Sequence, residues 1–178
     1  ITLNAQEALT YSQLVQVGSS AGGARAKALI AWNKKTNEIR SGQLNLDKDY
    51  DYWLMKFDNV SKNGDHGLED EPEYTLIEYA YYKMALDAGI QMNECRIYSK
   101  AGENHFMTKR FDRIDGKKVH MQSLGAIAHI SYKEPRLCSY EMAAQYMQEM
   151  NLPMKDIEQF YRRMVFNCIA VNKSNCGR

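Results

Sequence analysis

One lysine and one glutamate are the residues of this sequence best suited to handle a phosphate group. Lys56 lies in a run of aromatic and large apolar residues, Tyr52–Phe57 (YWLMKF), which is typical of a buried strand. A lysine in such a strand loses hydration unless an anion lies beside it. Glu78 lies on the apolar stripe of a helix predicted over residues 73–88. Together they predict an ion pair in which the carboxylate orients a lysine that neutralises phosphate charge.

A loop of small residues, 18–26 (GSSAGGARA), precedes the first predicted strand. Its glycines would let backbone amides approach a phosphate, although it contains neither G-x-G-x-x-G nor a G-K-[ST] ending. Each feature also has a structural explanation. Lys56 could be an edge residue whose ammonium reaches water, Glu78 a border residue of its helix, and the loop a flexible turn. The prediction therefore depends on the pair more than on either member.

The elements that would position these residues divide the chain into two parts. Alternating apolar residues and turn signals predict strands over 27–32, 52–57, 95–99 and 105–111, with a turn at 101–104 and an Asp-Gly turn at 115–116. Helices are predicted over 73–88, ended by Gly89, from Ser139 to about Met150, and over 153–172 with Pro153 in its first turn. The pattern predicts an α+β fold with a β-rich domain over 1–118 and a helical domain over 119–178.

Composition excludes several classes of protein. Hydrophobic residues make up 44% and charged residues 25%, as in globular chains and unlike disordered ones. A net charge of +1 gives no case for direct binding of nucleic acid or a membrane surface. No apolar run approaches the roughly 18–20 residues of a membrane span, and no signal peptide is evident. The four cysteines and four histidines lack metal-ligand spacing, so we expect no metal site. Because no targeting segment is evident, we expect a cytoplasmic protein with reduced thiols.

Five segments, in order, resemble the HipA family of bacterial toxin kinases. They are GSSAGGARAKALIAW (18–32), YWLMKF (52–57), EYTLIEYAYYKMALDAGI (73–90), HFMTKRFDR (105–113) and FNCIAVN (166–172). The strongest is the strand that ends in K/E-R-F-D-R. The resemblance covers most of residues 18–172. It implies a protein-kinase-like β-rich N-lobe with one inserted helix, followed by an incomplete all-α C-lobe.

The resemblance also implies a nucleotide site that uses ATP and Mg²⁺. Lys56 would contact the α- and β-phosphates of ATP. The backbone from Lys109 to Phe111 would be the hinge that reads adenine, and Asp112 would lie near the ribose. The pairing of Glu78 with Lys56 follows from kinase logic, because the family match alone does not imply it.

The sequence departs from the family where catalysis would occur. In the family, F-N-x-x-I-x-N is followed by T-D-D/G-H-x-K-N, whose Asp is the catalytic base and whose last Asn binds magnesium. Ser174 stands at the place of the base, where it cannot accept a proton as a carboxylate does, and Cys176 replaces the histidine. Ala26 replaces a proline of the glycine-rich segment. Ser19 or Ser20 occupies the place of the serine that family members autophosphorylate. We therefore expect a truncated chain with no certain catalytic residue.

Three functions are compatible with these observations. The first is a fragment of a HipA-like serine/threonine protein kinase, the toxin of a type II toxin–antitoxin system, inactive as it stands. The second is a non-catalytic, pseudokinase-like module that binds nucleotide or an antitoxin. The third is an unrelated α+β interaction domain. The resemblance implies a DNA-binding antitoxin as partner, with DNA contacted only through it. The apolar stripe of the helix over 153–172 predicts self-association.

Overall fold

The computed structural model describes residues 3–4, 27–58, 74–100, 102–130 and 139–172 of the 178-residue chain, and its fold is α+β. The strands in these ranges are β1 (Leu3–Asn4), β2 (Lys27–Asn33), β3 (Glu38–Ser41), β4 (Tyr50–Lys56), β5 (Cys95–Lys100), β6 (Glu103–Lys109), β7 (Arg113–Ile114) and β8 (Lys117–Lys118). The helices are α1 (Tyr74–Asp87), α2 (Leu124–Ile127), α3 (Tyr140–Glu149) and α4 (Met154–Ile169).

Six strands form one antiparallel sheet in the order β1-β3-β2-β4-β6-β5, and β7 and β8 form a separate hairpin. Strand β4 lies between β2 and β6, so Lys56 occupies an interior strand. Strand β3 was not predicted from the sequence. The turn predicted at 101–104 is shorter in the structure, because Glu103 and Asn104 already pair with β5. The predicted Asp-Gly turn is present, with Asp115 and Gly116 both at positive φ.

Side chains alternate between two faces of this sheet. We call the first the tryptophan face; its central members Ile30, Trp53, Met55 and Met107 are at most 1% exposed, and it also includes Ala28, Trp32, Ile39 and Phe57. We call the second the lysine face; it includes Lys27, Leu29 and Ala31 of β2, Tyr52, Leu54 and Lys56 of β4, and Phe106 and Thr108 of β6. The largest buried cluster lies on the tryptophan face, which therefore supplies most of the apolar stabilisation of the sheet.

Two helices, α3 and α4, pack together through an aromatic pair. The rings of Tyr140 and Phe160 lie 5.8 Å apart, and the Asn167 side-chain amide donates a hydrogen bond of 2.9 Å to the Tyr140 hydroxyl. Ser139 caps α3, as predicted, because its hydroxyl accepts a hydrogen bond from the Met142 N–H. Pro153 is the N-cap of α4 rather than a residue of its first turn.

The apolar stripe of α4 is partly covered. Phe160 is half-buried against α3, whereas Tyr161 and Ile169 are 60% and 78% exposed. Self-association through residues 153–172 stays a prediction, which the oligomeric state in solution would test. No helix in the described ranges combines the length and the apolar character that a bilayer span requires.

The chain divides into two compact units, one within residues 1–83 and 93–119 and the other within 84–92 and 120–178. The first contains the six-stranded sheet and the hairpin of β7 and β8. The second contains α2, α3, α4 and the end of α1. The domains predicted at 1–118 and 119–178 stay a prediction, and the structural division differs from them chiefly in grouping residues 84–92 with the helices.

Candidate functional site

Lys56 and Glu78 are in direct contact. The Lys56 Nζ lies 2.5 Å from Oε1 of Glu78, and the two side chains are 30% and 26% exposed. Lys56 is the last residue of β4, and Glu78 lies in the second turn of α1. The ring of Phe106, the neighbour of Lys56 on β6, lies 5.9 Å from the ammonium. The structure thus brings together the two residues that the sequence singled out, in a place partly open to solvent.

The second carboxylate oxygen of Glu78 is buried, and among the described residues it has no hydrogen-bond partner. A buried carboxylate oxygen without a donor carries a desolvation cost that another donor would reduce. Of the two carboxylate oxygens of Glu78, only Oε1 therefore has a hydrogen-bond donor among the described residues.

A second lysine lies beside this pair. Lys27 is the residue of β2 directly opposite Lys56 on β4, so both side chains project from the lysine face. Burial lowers the pKa of Lys27, and the nearby charge of Lys56 lowers it further, while Glu78 acts in the opposite direction. The three charged groups are thus close enough to influence one another. Residue types and spacing did not indicate Lys27, because only the strand register shows that it faces Lys56.

The predicted hinge follows β6. The Lys109 N–H donates to the Glu94 carbonyl at 2.8 Å, and the Arg110 N–H donates to the Tyr52 carbonyl at 2.9 Å. These two amides hold the segment against the sheet. The N–H of Phe111 has no hydrogen-bond partner in the described residues, and the Phe111 side chain is 66% exposed. Of the three predicted hinge residues, Phe111 therefore has the amide that a purine base could use.

Both carboxylate oxygens of Asp112 are engaged by arginines. Arg110 donates to Oδ1 at 2.8 Å through Nε and to Oδ2 at 2.6 Å through Nη2. Arg113 donates to Oδ2 at 2.9 Å, and its guanidinium lies 5.4 Å from the ring centre of Tyr52. The hydrogen bonds from Arg110 are the main reason why the pKa of Asp112 lies below its usual value. This arginine clamp, formed by Arg110, Asp112 and Arg113, orients the carboxylate that was predicted near the ribose.

His105 is a buried titratable residue, and its spacing from other histidines and cysteines had excluded it only as a metal ligand. Its side chain is 5% exposed and lies between the rings of Phe57 and Tyr98. Its Nδ1 accepts a hydrogen bond of 3.2 Å from the Asp58 N–H, so this nitrogen is unprotonated. Burial lowers the pKa of His105, opposed by the charges of Glu103 and Asp58. The signal in the sequence was its position just before the apolar pair Phe106 and Met107 of the same strand.

Several predicted residues cannot be placed. The glycine-rich segment 18–26, with Ser19 and Ser20, lies outside the described residues, as does Ser174. Within the described ranges, no group of three or more His, Cys, Asp or Glu side chains is arranged to hold a metal ion. The structure therefore describes the lysine face and the hinge, but not the loop and the catalytic segment that the resemblance implies.

Comparison with known proteins agrees with the resemblance found in the sequence. The model of one protein family, the HipA-like C-terminal domain, matches residues 19–175. No curated protein and no solved structure matches the chain. The family match spans most of the sequence and includes Lys56, Glu78 and the hinge. The chain therefore belongs to the HipA-like C-terminal domain family.

Proposed function

We propose that this chain is the nucleotide-binding part of a HipA-like serine/threonine protein kinase and that it binds ATP on the lysine face. The observation that carries the proposal is the contact of 2.5 Å between Lys56 and Glu78. A half-buried lysine held by a helical carboxylate at the end of an interior strand is oriented to neutralise phosphate charge. Family membership supports the same function.

The residues described fit a nucleotide better than they fit a metal. Lys56 would hold the α- and β-phosphates, and the Phe111 amide would serve the adenine. Asp112, oriented by its clamp, would face the ribose. ATP, when bound, supplies the phosphoryl group. Among the described residues no cluster of His, Cys, Asp or Glu side chains forms a site for Mg²⁺.

We expect this chain to bind nucleotide without efficient phosphoryl transfer. This expectation rests on the resemblance, by which Ser174 would stand where the family has its catalytic Asp, and loss of a general base costs roughly 10²–10⁴-fold in rate. The alternative function, a non-catalytic module, makes the same prediction. In the intact toxin–antitoxin system the partner would be a DNA-binding antitoxin, and DNA would be contacted through it, because the net charge of +1 gives no case for direct DNA binding by this chain.

Calorimetric titration with ATP tests the binding proposal. We expect the wild-type chain to bind ATP and Lys56→Met to bind it at least about tenfold more weakly, since a charge-assisted contact to phosphate is lost. Lys35→Met is the matched control, because Lys35 is an exposed lysine of the same unit whose ion pair is with Asp49. A wild-type chain that binds no ATP would overturn the proposal, and so would equal binding by Lys56→Met.

Incubation with radiolabelled ATP tests the expectation about transfer. We expect no detectable label on Ser19, Ser20 or an added protein substrate. Label that appears on either serine, and is lost when Lys56 is replaced, would show that the chain transfers phosphate despite Ser174.

A further inference from the structure

Two lysines face each other across neighbouring strands at the proposed phosphate site. In the register of β2 and β4, Lys27 is the direct partner of Lys56. Side chains at such positions start about 5 Å apart, and like charges placed there destabilise the strand pair. Glu78 offsets part of this repulsion through its ion pair with Lys56, and an anionic ligand in front of both lysines would offset more of it.

The register that places Lys27 beside Lys56 is determined by the opposite face of the sheet. Ala28 and Ile30, its neighbours on β2, have no exposed surface and belong to the tryptophan face. A shift of one residue would move Lys27 into that apolar cluster and move Ala28 to the lysine face. The packing of the core therefore keeps the two ammonium groups on one side of the sheet.

The electrostatics at Lys27 agree with this geometry. Lys56 lowers the pKa of Lys27 in addition to the effect of burial, and Glu78 opposes both. Glu78 already holds Lys56 through one oxygen. An anion bound in front of the two ammonium groups would interact favourably with both, and a ligand with two adjacent anionic groups could engage one lysine with each.

We propose that Lys27 is a second phosphate-binding residue, which together with Lys56 selects nucleoside di- and triphosphates over monophosphates. This inference rests on the proposed function, because it assigns a residue and a ligand class to the same site. A nucleoside monophosphate would satisfy one lysine and leave the other without its phosphate, whereas a diphosphate would engage both.

The test is calorimetric titration of the full chain and its Lys27→Met variant with ATP, ADP and AMP. We expect Lys27→Met to weaken ADP and ATP binding by about tenfold and AMP binding by less than about threefold. Lys27→Arg, which keeps the positive charge, should retain most of the preference for ADP. Lys35→Met should match the wild-type chain with all three nucleotides.

The titrations distinguish failure of the proposed function from failure of the proposed role of Lys27. If the wild-type chain binds no nucleotide, the proposed function itself fails. If it binds ATP and Lys27→Met binds ADP equally well, only the role of Lys27 fails. Equal losses for AMP and ADP would also overturn the proposal, since they would indicate a general structural effect. Each variant is first shown to unfold cooperatively, and Lys27→Gln replaces Lys27→Met if the methionine variant does not fold.

Discussion

The two faces of the central sheet show how one strand serves both stability and binding. On β4, Trp53 and Met55 have no exposed surface, whereas the Lys56 side chain between Met55 and Phe57 is 30% exposed. Met55 therefore lies in an apolar cluster, and Lys56, the next residue, lies in a charged and partly hydrated site. The tryptophan face sets the register of the strands, and the lysine face uses that register to bring charged groups together.

This difference predicts that substitutions on the two faces have separable effects. A change on the tryptophan face should lower the free energy of unfolding and leave the site of the folded molecules intact. A change at Lys27 or Lys56, the charged end of the lysine face, should alter nucleotide affinity and have a smaller effect on unfolding, whereas Ala31 and Tyr52 of the same face are buried. Three measurements test this distinction.

The largest effect is expected at Met55. Met55→Ala removes a fully buried side chain next to Ile30 and Met107, and we expect a loss of about 2–5 kcal/mol in the free energy of unfolding. Leu54→Ala, a half-buried neighbour on the lysine face, is the matched control with a smaller expected loss. Urea denaturation followed by circular dichroism measures both. Equal losses would remove the distinction between the faces.

A pH-dependent loss of stability is expected from His105. Its pKa is lowered in the folded state, so the unfolded state binds more protons and stability falls as the pH decreases. The stability that neutral His105 contributes is fully present above the ordinary histidine pKa of about 6.5. Below that pH the free energy of unfolding decreases, by at most about 1.4 kcal/mol per pH unit. Protonation of Nδ1 would also remove the acceptor for the Asp58 N–H.

Denaturation midpoints at pH 7.5 and pH 5.5 test this prediction. His105→Gln should show a smaller decrease between the two values than the wild-type chain. His120→Gln is the control, because His120 is exposed. Parallel decreases in all three proteins would assign the pH dependence to other groups.

The smallest change in stability is expected at Glu78. Because its ion pair with Lys56 is partly exposed, we expect Glu78→Gln to cost about 1 kcal/mol or less in the free energy of unfolding. The same variant should weaken ATP binding, since Lys56 loses the group that orients it. Urea denaturation and calorimetry on one preparation compare the two effects. A large loss of stability with unchanged ATP affinity would assign the pair to the fold alone.

Much of the sheet could be predicted because its strands carry strong local signals. The alternation in β2 and the aromatic run in β4 indicated strands, and the Asp-Gly turn indicated the hairpin of β7 and β8. Strand β3 was missed because Ile39 is its one fully buried residue and the other three are polar. It is defined by pairing with β2, a contact that no local pattern records.

Only those residues of the candidate site whose charge requires a partner of opposite charge could be predicted from the sequence. Lys56 in an apolar strand required an anion, and Glu78 was the carboxylate with the right position on a helix. The facing position of Lys27 depends on strand register. The clamp of Arg110 and Arg113 on Asp112 depends on how the chain bends after β6. Both are properties of the folded chain, so neither could be derived from residue types and spacing.

The tryptophan face has a spectroscopic consequence. Trp32 and Trp53 are the two tryptophans of the chain, and both lie on this face, with the guanidinium of Arg96 5.0 Å and 5.9 Å from their rings. Intrinsic fluorescence excited at the indole band therefore reports on the sheet, whereas the helical unit contains no indole. Fluorescence thus reports on the first unit alone, whereas helical circular dichroism reports mainly on the helical unit and also on the part of α1 that belongs to the first unit. Coincident melting curves would indicate that the two units unfold together, and separated curves would measure their independence.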